Sequence, residues 1–111
     1  RQTIHTEDDC RITLPQINKS TKINNVTFNI GGGFKNYTSL KNLTNKCIKL
    51  TGNKVLIKKV KRTSNYDIPY YITNNSKIFK TYRWKPEINL DKTLKDIYSW
   101  LVKNNMRDYF K

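Results

Sequence analysis

The run Val26-Thr-Phe-Asn-Ile-Gly-Gly-Gly33 constrains this chain more than any other stretch. β-Branched and aromatic residues of strand type stop abruptly at three glycines, and Leu40, Leu43, Cys47, Ile48 and Leu50 then follow Thr38-Ser39 at helical spacing. The unit reads as strand, glycine turn, helix, and it predicts an α/β fold. Glycines ahead of a helix can hold phosphate on backbone N–H groups. Here the dinucleotide fingerprint fails, because the third glycine it needs, three residues beyond Gly33, is Asn36. No Gly-Lys-Ser/Thr follows either, so a P-loop is excluded and the glycines read as a tight turn with close strand–helix packing.

A chain of 111 residues holds one small domain with a modest core. It has no twenty-residue apolar run and no signal peptide, so no membrane partner and a cytoplasmic location are expected. It opens on Arg1 and runs straight into strand-like Thr3-Ile4-His5, which reads as a piece of something longer. The formal charge of +14 would ordinarily point to nucleic acid. However, Lys, Asn and Ile, all with codons rich in A and T, make 43 of the 111 residues. The lysines are also scattered, with Lys58, Lys59, Lys61 and Arg62 the one dense cluster, so base composition accounts for most of the charge. Cys10 and Cys47 lie 37 residues apart and read as reduced thiols, and the lone His5 cannot build a metal site.

Along the chain, Thr6 is placed as an N-cap, with Glu7, Asp8 and Asp9 on the first turn where the helix dipole favours negative charge. The helix should run to about Asn18 with Cys10, Leu14 and Ile17 on its buried face, and Pro15 should kink or end it early. A polar loop over 19–25 leads to the organising strand. A helix over 39–51 then ends at Gly52. Val55-Leu-Ile57 with Val60 suggests another strand, 62–67 a polar loop, and Ile68-Pro-Tyr-Tyr-Ile-Thr73 an extended edge segment. Asn75-Ser76 caps a short helix carrying Ile78, Phe79 and Tyr82, which Trp84-Lys-Pro86 terminates. Asp91 caps the last helix, whose Leu94, Ile97, Tyr98 and Leu101 form a core-packing face with Trp100 on its flank. The tail from Asn104 reads as loosely ordered, with Tyr109 and Phe110 able to dock.

Four landmarks in this order carry a resemblance. They are Arg1-Gln-Thr-Ile-His5 before an acidic helix start, Phe28-Asn-Ile-Gly-Gly-Gly33 before Ser39-Leu40, Asp67-Ile-Pro-Tyr-Tyr-Ile-Thr73 before Ser76-Lys77, and Trp84-Lys-Pro86 before an Asp-Ile-Tyr-Ser-Trp helix. Over nearly its whole length the chain resembles the C-terminal part of the extended short-chain dehydrogenase/reductases, the NAD-dependent nucleotide-sugar epimerases and dehydratases. The segment 67–77 is most similar to CDP-paratose 2-epimerase-like enzymes, with UDP-glucose 4-epimerase-like enzymes next.

The resemblance implies a Rossmann-type α/β fragment in which strands alternate with about four helices, residues 1–111 forming one substrate-binding portion. It implies an enzyme whose NAD is held by an N-terminal cofactor domain upstream of Arg1, with a homodimer possible. It assigns Arg1 to the diphosphate of the nucleotide-sugar, Asp67 to the loop closing over the nucleotide, and Tyr71 to the sugar pocket. A guanidinium forks onto phosphate oxygens through two charge-assisted bonds, which suits Arg1 to that place. Ser64 stands where many members carry an Arg, and Arg62, two residues earlier, is the candidate to replace it. The residues alone leave other readings open: Arg1 as a frayed terminus, Asp67 as a turn cap, Tyr71 as core, Arg62 as solvated loop charge.

The family's chemistry also needs a glycine-rich cofactor loop and a Tyr-x-x-x-Lys pair in which the lysine lowers the tyrosine pKa. Tyr37-Thr-Ser-Leu-Lys41 has the spacing but straddles a turn and a helix start, so no catalytic residue is assigned and no catalysis is expected of this chain alone. Two rival readings stand beside this one. One is a stand-alone basic module binding single-stranded nucleic acid through Lys58 to Arg62 with Tyr66, Tyr70 and Tyr71 as stacking surfaces. The other is an inactive truncated copy.

Overall fold

The computed structural model describes residues 1–19, 25–58, 66 and 68–104. Four helices follow one another along the chain: α1 (Thr6–Asn18), α2 (Leu40–Thr51), α3 (Ser76–Tyr82) and α4 (Leu90–Lys103), with a single 3-10 turn at Phe34–Asn36. Among the described residues there is no strand and no sheet. Among them the only ladder-like contact is an isolated antiparallel bridge between Gln2 and Tyr37.

This overturns the α/β, Rossmann-type expectation. Residues 26–30 and 53–58 carry strand-type side chains, yet neither segment pairs as a strand. The physical reason is that β-propensity measures how well a side chain fits a pleated, half-buried surface, so it gives no sheet where no neighbouring ladder is present. Val60 lies outside the described residues, as do Lys59, Lys61, Arg62, Asp67, Tyr109 and Phe110.

The helices themselves start and stop for local reasons. Ser39 Oγ accepts from Asn42 N at 3.1 Å to open α2, and Gly52, at φ +72°, closes it in the left-handed conformation. Two caps differ from expectation by a residue or two. His5, not Thr6, caps α1, its Nδ1 accepting from Glu7 N at 3.1 Å. Asn89, not Asp91, caps α4 through Lys92 N at 2.9 Å, which leaves Asp91 in the first turn where the dipole favours it. Pro15 does not end α1, which runs three residues further. Its missing N–H deprives one carbonyl, that of Arg11, of a helical donor, and the turn that follows it still forms, Lys19 N donating to the Pro15 carbonyl at 3.1 Å.

Burial is the larger correction. On α1, Leu14 and Ile17 are more than 60% exposed and Cys10 is exposed, whereas Asp8 and Ile12 are fully buried. The buried pair has the same i, i+4 spacing as the expected one, displaced around the helix. On α4 only Leu90 is buried; Leu94, Tyr98 and Leu101 are half-buried, and Ile97 and Trp100 are exposed. The core is correspondingly small: Ile12, Ile78 and Trp84, with Ile4, Phe28, Ile30 and Tyr82 packed around them. Phe28 meets Tyr82 edge-on, ring centroids 5.6 Å apart. Each fully buried member contributes roughly 1.5–3 kcal/mol relative to leaving it in water. A satellite contact joins α2 to α4, where Lys46 is ion-paired with Asp91.

Candidate functional site

Polar side chains hold the loops in place between these helices. Asp8 is the centre of one such set. Its carboxylate accepts from the backbone N–H groups of Glu87 (3.2 Å to each oxygen) and Ile88 (3.0 Å) and from the Arg11 guanidinium. The Asp8 carbonyl accepts from Trp84 Nε1 at 2.9 Å. Burial pushes this carboxyl up, but the bonds from Arg11, Ile88 and Glu87 outweigh it and hold the group below its ordinary value. Asn36 does similar work two loops away, donating Nδ2 to the Ile88 carbonyl at 2.8 Å and accepting from Leu90 N at 3.0 Å. The residue that spoils the glycine fingerprint is therefore a clamp on the start of α4.

Gln2 ties three segments together. Its Oε1 accepts from Gly33 N at 3.0 Å and Thr73 N at 3.2 Å, while its Nε2 bonds Thr73 Oγ1. The glycine run must fit beneath it. A Cβ on Gly32 would stand 1.7 Å from the Thr3 carbonyl oxygen, and one on Gly31 2.5 Å from Gln2 Nε2. Gly31 and Gly32 are thus required by the close approach of Gln2, Thr3 and Thr73, and not by the strand–helix packing expected from the sequence, since no strand precedes them.

This bracing shapes one cavity of about 360 Å³, lined by Arg1, Gln2, Ile30, Gly31, Tyr71 and Thr73 among others. Arg1 is held in position by backbone: its amino group donates to the Thr38 carbonyl at 3.0 Å, and Thr38 N returns a bond to the Arg1 carbonyl at 2.8 Å. Behind it, His5 Nε2 approaches Asp96 of α4 at 3.4 Å. Tyr71 is half exposed and follows Tyr70, whose ring lies 4.9 Å from that of Tyr37. Two of the four candidate substrate residues, Arg1 and Tyr71, therefore border the same space although seventy positions separate them. The other two, Arg62 and Asp67, lie outside the described residues, as does most of the Lys58 to Arg62 cluster.

Tyr37 and Lys41 do not form a catalytic pair on one helix. Tyr37 precedes the Ser39 cap and Lys41 sits in the first turn of α2. Cys10 and Cys47 are both free thiols. Among the described residues no three His, Cys, Asp or Glu side chains gather as metal ligands, and no helix is long and apolar enough to cross a membrane.

Asp8, Gln2 and Asn36 are the structural supports that sequence reasoning missed. Asp8 carried only a dipole signal, since its loop partners lie 79 and 80 residues away. No protein-family model, curated protein or solved structure matches this chain.

Proposed function

We propose that this chain is the substrate-binding C-terminal portion of an NAD-dependent nucleotide-sugar epimerase or dehydratase, acting in the cytoplasm. The observation that supports the reading is the shared cavity of Arg1 and Tyr71. Both residues line it; a guanidinium suits a diphosphate, to which it can donate two parallel N–H bonds, and a phenol suits sugar hydroxyls. Arg62 and Asp67 complete the set in this reading, as further contacts to the diphosphate and the nucleotide. NAD, the proton-shuttling tyrosine and a dimer interface would come from sequence upstream of Arg1. Exposed Val55, Leu56, Ile57, Ile68 and Tyr70 fit a chain that packs against such a further domain.

The test is to read the frame upstream of the Arg1 codon and express whatever it encodes joined to this chain. A continuous frame of about two hundred codons is expected, roughly one cofactor domain. The product should bind NAD and UDP- or CDP-glucose, and Arg1→Ala should weaken the nucleotide-sugar about tenfold or more while leaving NAD affinity unchanged. A start codon immediately before Arg1, or unaltered nucleotide-sugar affinity in the variant, would overturn the reading.

A further inference from the structure

A second cavity, of about 530 Å³, shares only Gly32 and Thr73 with the one that Arg1 borders. Its walls are largely apolar: Ile72, the Phe79 ring of α3, the buried Trp84 and Pro86, with Phe34 standing 78% exposed beside them. Gly33, at φ +65°, turns the chain at its edge. A Cβ there would point between Asn75 Nδ2 and Pro86 Cγ, at 3.7 and 4.0 Å.

Three lysines also line it, Lys35 from the 3-10 turn, Lys80 from α3 and Lys85 from the loop that follows, and no acidic side chain does. They come from three separate segments, so their presence around one cavity is a property of the fold and not of a basic run. None of them is ion-paired with a described residue. A fourth cation is close, since the Arg83 guanidinium lies 5.8 Å from the Phe79 ring centroid. Asn75 adds a polar contact of its own: its Nδ2 donates to the Gly31 carbonyl at 2.8 Å, and its Oδ1 is buried without a hydrogen-bond partner.

Apolar walls of this volume with a few convergent polar groups are the usual form of a small-molecule site. We propose that the cavity binds a small aromatic anion, its ring or fused rings against Phe79, Trp84 and Pro86, its carboxylate or phosphate among Lys35, Lys80 and Lys85. The inference stands independently of the nucleotide-sugar reading, because Arg1 and Tyr71 do not line this cavity.

The experiment titrates the longest natural reading frame containing this chain with 2-naphthoate and with uncharged 2-naphthalenemethanol by calorimetry, with far-UV circular dichroism as a folding control. Saturable one-to-one binding of naphthoate is expected, at least tenfold tighter than the alcohol at low salt. The double variant Lys80→Glu/Lys85→Glu should erase that preference while the alcohol still binds, and Phe79→Ala should weaken both ligands. Arg1→Ala should leave naphthoate binding unchanged. Absence of saturable binding, equal affinity for the two probes, or a preference that survives the double variant would overturn the proposal. Loss of naphthoate binding in Arg1→Ala would also overturn it, by placing the anion in the other cavity.

Discussion

The side of the molecule built on Asp8 and Gln2 and the side that carries residues 53–58 and 68–71 are held by different physics. On the first, the buried Asp8 carboxylate and the Gln2 amide reach across the chain to backbone N–H groups, so loops without regular secondary structure are fixed in place. On the second, Leu56 is 84% exposed and Val55, Ile57, Ile68, Tyr70 and Tyr71 are all more than half exposed. Hydrogen bonds can order a chain locally while its apolar surface remains uncovered, and the two faces show both conditions in one molecule.

That contrast is open to direct attack. Gly32→Ala should have the largest effect, because the new methyl collides with the Thr3 backbone and the Gln2 staple cannot close. The variant is expected to lose about 4 kcal/mol or more and to show no cooperative urea transition by circular dichroism. Asp8→Ala ranks next, since it strands the Glu87 and Ile88 N–H groups; about 3 kcal/mol is expected from the shift in the urea midpoint.

The same carboxylate sets a pH dependence. Its folded pKa lies below the unfolded value near 3.9. Its contribution is therefore complete above about pH 4 and is lost as pH falls through the folded value. Urea midpoints measured from pH 6 downward should drop below about pH 4 in the native chain and less steeply in Asp8→Ala. Leu56→Ser should change stability least, by less than about 0.5 kcal/mol, because that side chain is already in water. A larger loss would mean that the exposed face is covered in solution.

Helix positions were legible because their causes are local. Ser39, Gly52 and the spacing of α2 and α4 are features of a few neighbouring residues, and the structure puts those helices within about two residues of the reading. Strands were not legible, since a run such as 26–30 becomes one only when another segment pairs with it. The face of α1 was misjudged for a related reason. Hydropathy favours Leu14 and Ile17 as the buried side, but the loop at 84–88 offers N–H donors to an acid, and α1 turns Asp8 and Ile12 toward it. Of the candidate site, Arg1 and Tyr71 converge on one cavity, while the amides of Gln2 and Asn36 that shape the surrounding loops carried no signal of their own.

The clasp between Asp8 and the amides of Glu87 and Ile88 also dictates a timetable. It closes a loop of about eighty residues, for which chain entropy alone exacts roughly 4 kcal/mol beyond a constant. During synthesis α1 is complete long before those amides exist, so its carboxylate stays in water until residue 88 has left the ribosome. Such distant pairings slow folding, and the loop at 84–88, which borders the 530 Å³ cavity, is tied to α1 only in that late step.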